Sequence, residues 1–104
     1  MPDRVFHYYF PLYAEYILSQ EAECDSDGAS SFIGRAAHRA SSIVAGGQSM
    51  ISLTSLALAR IANAQDWFDA NPSIYGSFRE RVSAVWVAHP CLKPKGEAGA
   101  SDGV

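Results

Sequence analysis

Lysine is nearly missing from this chain of 104 residues: the two that occur, Lys93 and Lys95, stand close to the C-terminus. The segment expected to fold therefore lacks the lysine of a phosphate-binding loop and the internal lysine of Schiff-base chemistry. Cysteine is scarce too. Cys24 and Cys91 lie far apart and read as reduced thiols, because a stapled scaffold needs more of them. Long apolar runs are absent: the greasiest region, residues 50–62, is broken by Ser52, Thr54, Ser55 and Arg60 and cannot span a bilayer. The opening "MPDRVFHYYF" has neither a basic start nor a continuous apolar stretch, so no export signal is expected and cytoplasm is the expected compartment. Net charge is only −3, whose sign argues against general affinity for nucleic acid.

What remains is an apolar fraction of 48% with 18% charged residues, the composition of one globular domain with a modest core. Its periodicity predicts an all-α fold. The expectation is a compact bundle of about four helices over residues 1–90, followed by a flexible tail over 91–104, where "CLKPKGEAGASDGV" has little to bury.

Pro11 suits the first turn of a helix running to about Glu23, with a separate turn before it. "CDSDGASS" reads as a loop, with Ser30 or Ser31 capping a second helix from about Phe32 to Ala45. There Phe32, Ile33, Ala36, Ala37, Ala40, Ile43 and Val44 share one face, and Gly46-Gly47 ends it. A third helix, about Ser49 to Ala70, is apolar over most of its circumference, with only Ser52, Ser55, Ala59, Asn63 and Asp66 as a polar strip. Such a helix is central to a bundle or covered by a partner, including another copy of the chain. Asn71-Pro72 starts a fourth, to about Ala88; "VSAVWVA" within it also has strand character, but the spacing from Ile74 favours helix.

Motifs for chemistry are weak. "DSDGASSFIGRA" starts like a calcium loop, yet Ser30 and Ala36 occupy the positions where glycine and a bidentate glutamate are needed. Among Cys24, Cys91, His7, His38 and His89, the pair in His89-Pro90-Cys91 is the only close one, and structural zinc sites need two such pairs. No metal or cofactor is expected. Ser49 in "GGQSM" lacks the final glycine of a nucleophile elbow, and Cys91 sits in the expected tail. A small hydrolase or metal enzyme stays as an alternative without assigned roles.

Interaction residues are more evident. Half of the twelve aromatic rings, Phe6, Tyr8, Tyr9, Phe10, Tyr13 and Tyr16, fall within eleven positions. Tyr13 and Tyr16 can be core, whereas consecutive rings before Pro11 must point several ways, so part of the set is expected at an interface. Glu15, Glu21, Glu23, Asp25 and Asp27 form a stretch with no base among them, fit to meet a basic partner surface. Every cation before the tail is arginine: Arg4, Arg35, Arg39, Arg60, Arg79 and Arg81. Arg35 and Arg39, one turn apart, can orient a partner or contact phosphate.

The expected function is thus a non-enzymatic module that binds another protein through Phe6, Tyr8, Tyr9, Phe10 and Tyr13, oriented by the five acids and by Arg35 and Arg39. In its concrete form it is an inhibitor, of the small phage-encoded kind, that blocks a nucleic-acid-handling complex. A DNA-binding regulator using Arg35 and Arg39 is the alternative, although the helix after Gly46-Gly47 is too apolar to present itself to a groove.

Overall fold

The structure, a computed structural model, describes residues 3–94. Its order is α1 (Asp3–Ile17), a 3-10 turn (Gln20–Ala22), α2 (Ser26–His38), α3 (Ala40–Ala45), α4 (Gln48–Asn63), α5 (Pro72–Tyr75), α6 (Phe78–Ala88) and a second 3-10 turn (Pro90–Leu92). No strand occurs among the described residues, and four of the helices have eleven residues or more, as the periodicity predicts.

The first helix departs from expectation. It begins at Asp3 and carries Pro11 inside it, where proline removes one backbone hydrogen bond and crowds the preceding turn. Packing offsets that cost. Phe6 and Phe10, one turn apart, are buried and stacked at 4.7 Å, and Phe10 stacks in turn on Phe32 of α2 at 4.8 Å. Three phenyl rings thus tie α1 to α2, with Ala14 and Ile17 continuing the same buried face.

The second helix starts at Ser26, six residues before the expected Phe32. Its cap is Asp25, whose carboxylate accepts the Gly28 N–H at 2.9 Å. Ser30 and Ser31 lie inside the helix. The helix breaks at Arg39, so the expected single element is two, α2 and α3, separated by that residue's non-helical backbone. Phe32, Ile33, Ala36, Ala40 and Ile43 are buried as predicted, while Ala37 and Val44 are exposed. Gly46-Gly47 ends α3, with Gly47 at φ 101° and ψ 176°, a conformation that belongs to glycine.

α4 is the central helix, packing against α1, α2, α3, α6 and the last turn. Its apolar excess is covered within the chain, apart from Leu56, which is 55% exposed. Ser55, expected on the polar strip, is buried; its hydroxyl donates to the Ile51 carbonyl at 2.9 Å, as the buried Thr54 does to Met50 at 2.7 Å. The helix stops at Asn63 instead of about Ala70 because Gln65 organises a turn there. Its amide donates to the Ala70 and Gly76 carbonyls and accepts the Phe78 N–H at 2.9 Å.

Asn71 caps α5 through the Ser73 N–H, with Pro72 at the first helical position, as predicted. Gly76 at φ 77° then divides the expected fourth helix, and Ser77 caps α6 through the Glu80 N–H. Leu92 is fully buried against the bundle, so the packed chain extends beyond the expected boundary at residue 90. The remainder of the expected tail, residues 95–104, lies outside the described residues. Among the described residues no helix is long and apolar enough to cross a membrane.

The α3–α4 corner gives a direct test. Gly47→Ala is expected to lower unfolding free energy by about 1–3 kcal/mol, because an L side chain is strained at that φ and ψ. Chemical denaturation measures it; an unchanged midpoint would show that this backbone conformation is not populated.

Candidate functional site

At 100° per residue, α1 has two apolar faces. The inner face carries Phe6, Phe10, Ala14 and Ile17, all buried. The outer face carries Val5, Tyr8, Tyr9 and Leu12, which are 37%, 65%, 57% and 49% exposed. Phe6 and Phe10, expected among the partner-binding rings, are therefore core. Their burial follows from the helix reaching back past Pro11, which places them one turn apart and facing Phe32. Tyr8 and Tyr9 stay outside and meet edge-to-face at 4.9 Å.

Between this outer face and α2 runs an open groove of about 470 Å³, lined by Phe6, Tyr9, Phe10, Leu12, Tyr13, Tyr16 and Arg35. Phe6 and Phe10 reach it only as floor. Tyr13 is half-buried, edge-on to Phe32 at 5.1 Å, and its hydroxyl donates to the Gly28 carbonyl at 2.5 Å. Tyr16 donates to the Asp25 carboxylate at 2.7 Å. Both rings are thus anchored to the first turn of α2, which fixes the groove wall.

The acidic residues divide into two groups. Glu15, Glu21 and Glu23 are exposed, whereas Asp25 caps α2 and accepts from Tyr16. Asp27 is exposed and accepts the Tyr75 hydroxyl at 2.5 Å. Two of the five expected orienting carboxylates therefore serve the fold as well. On the other side, Arg35 is exposed at the groove wall and is shared with a more polar open depression of about 520 Å³ formed with Ser31, Gly34, His38 and Arg39. Arg39 is half-buried, its guanidinium 4.4 Å over the Phe6 ring and in hydrogen-bond reach of the Ser42 hydroxyl. It packs the core edge in addition to lining the surface.

Val5, Leu12 and Tyr16 belong to this surface but were not marked by sequence as partner contacts. Their signal is the spacing 5, 9, 12, 16 along one helix line, which emerges only when α1 is continued through Pro11. Residues considered for metal binding or catalysis are placed elsewhere. His7 Nε2 lies 2.6 Å from the Ser42 carbonyl, tying α1 to α3, and Ser49 is exposed in the first turn of α4. Cys24 and Cys91 are exposed free thiols. Among the described residues no group of three metal-capable side chains assembles.

No family model, curated protein or solved structure matches this chain, so its function is argued from the geometry.

The tyrosine anchors carry a pH signature. Burial pushes the Tyr13 phenol up from its ordinary 10.0, with Arg35 opposing; Tyr16 is raised chiefly by its hydrogen bond to Asp25. A folded-state pKa above the unfolded one gives stability that is present below pH 10.0 and lost as pH rises through the folded value. Denaturation midpoints of the native chain are expected to fall above that pH more steeply than those of Tyr16→Phe. Parallel curves for the two proteins would contradict the anchoring role of the Tyr16 hydroxyl.

Proposed function

We propose that this chain is a non-enzymatic, cytoplasmic helical module that binds protein through the outer face of α1. One observation carries the reading: Val5, Tyr8, Tyr9 and Leu12 lie exposed on a helix whose other face already fills the core. Tyrosine brings a large apolar area with few rotors to freeze, which is why it serves as an interface anchor.

Magnitudes set what the face can do. Tyr8, Tyr9 and Leu12 together keep on the order of 300 Å² outside, taking a large aromatic as roughly 150–250 Å². At about 25 cal/mol per Å², covering it gives roughly 8 kcal/mol. That is of the same order as the ~4–15 kcal/mol lost when two bodies become one. The rings alone give weak binding, so the charged rim must select and orient the partner. Glu15, Glu21 and Glu23 favour a basic partner surface at one end, and Arg35 favours an acidic group in the groove. An inhibitor seated on the basic surface of a nucleic-acid-handling complex is the concrete form of this reading.

Direct nucleic-acid binding has one observation in its favour, the proximity of Arg35 and His38 to the ring-lined groove. Two or three cationic contacts on a chain of net charge −3 neutralise few phosphates, however, and the affinity they provide falls quickly with salt.

A photo-crosslinking residue placed at position 8 is expected to form covalent adducts with a polypeptide in the native host, while one at the exposed Ser83 of α6 forms none. No adduct from position 8 would contradict the reading. Tyr8→Ala and Tyr9→Ala are expected to leave stability within about 0.5 kcal/mol. Each is expected to weaken the complex by about 1–3 kcal/mol.

A further inference from the structure

We infer that the outer face of α1 pairs with the same face of a second copy, antiparallel, about a two-fold axis. The inference rests on the protein-binding reading above and adds a second copy of the chain as an occupant of the same face. Val5, Tyr9, Leu12 and Tyr16 recur at spacings of four, three and four, the seam pattern by which one helix lies along another. Tyr8 widens the seam on one side.

Charge selects the direction. Arg4 and Glu15 are both exposed and stand eleven residues apart, about three turns, on the same flank of the seam. In an antiparallel pair, residues on the same flank of each helix meet across the dyad. Setting Arg4 against Glu15 of the second copy places the axis between Tyr9 and Phe10. That lies within about one residue rise, ~1.5 Å, of the midpoint between Val5 and Tyr16. One register therefore satisfies both the rings and two symmetric ion pairs. A parallel pair brings Arg4 against the opposite flank, where Phe6 and Tyr13 offer rings and no carboxylate.

Two helices of this length cover less than the roughly 800 Å² per partner of a standard stable interface, so the pairing is weak and reversible. α4 offers a smaller apolar surface, since Leu56 is its one exposed large apolar side chain.

Sedimentation equilibrium of the purified full chain, from micromolar to near-millimolar concentration, tests the inference. A reversible monomer–dimer equilibrium is expected. Arg4→Glu and Glu15→Arg are each expected to weaken it roughly tenfold, since each turns two attractive contacts repulsive. Combining the two swaps restores dimerisation to within about threefold, because the pairs reform with signs exchanged. Leu12→Ala weakens dimerisation with helicity unchanged by circular dichroism. A chain monomeric throughout overturns self-pairing, and adducts from position 8 to a different protein would then leave the wider reading standing. A dimer indifferent to the single swaps, or one the double swap fails to rescue, overturns the antiparallel register.

Discussion

The stack of Phe6, Phe10 and Phe32 is the contact on which the rest of this molecule depends. It fixes the rotation of α1 about its own axis. With Phe6 and Phe10 turned inward, geometry at 100° per residue leaves Val5, Tyr8, Tyr9 and Leu12 turned outward. The same stack holds a helix through Pro11, a residue that by itself favours ending one. Arg39 closes the outer edge of the stack by lying over Phe6, and Tyr13 closes the other by meeting Phe32 edge-on. A single packing event thereby creates both the core and the unpartnered surface.

That surface is preorganised rather than loose. Tyr13 and Tyr16 bond to the Gly28 carbonyl and to Asp25, the residue that also caps α2. The acid that starts the second helix therefore helps to hold a wall of the groove along the first. Rings already held in place would lose little entropy if a second surface covered them, as the proposed binding requires.

Fold class was legible because it depends on periodicity, and the apolar stripe of Phe32, Ile33, Ala36, Ala40 and Ile43 is periodic enough to read directly. Boundaries were less so. Asn71-Pro72 and Gly46-Gly47 act through local backbone chemistry and were readable. The stop at Asn63 depends on the Gln65 amide reaching Gly76 and Phe78, contacts eleven and thirteen residues away that no local rule contains. Pro11 misled for a related reason: its intrinsic preference is overridden by phenyl packing against a helix fifteen residues further on. The same error hid the candidate surface. Splitting the rings at Pro11 concealed the line through Val5, Tyr9, Leu12 and Tyr16, so aromatic content could be read while its division into inner and outer rings could not. Leu92 shows the opposite failure, since one buried leucine in a polar, proline-rich segment leaves no period to detect.

The central claim is that α1 has one face committed to the core and one left exposed, the face proposed to bind a polypeptide. Chemical nitration of the tyrosines, read residue by residue by mass spectrometry, tests it most directly. The account predicts rapid modification of Tyr8 and Tyr9 and slow modification of Tyr13 in the dilute chain, with Tyr8 and Tyr9 becoming protected once the α1 face is occupied. Tyr8 and Tyr9 resisting modification in the dilute chain, or labelling at the same rate after complex formation, would contradict it.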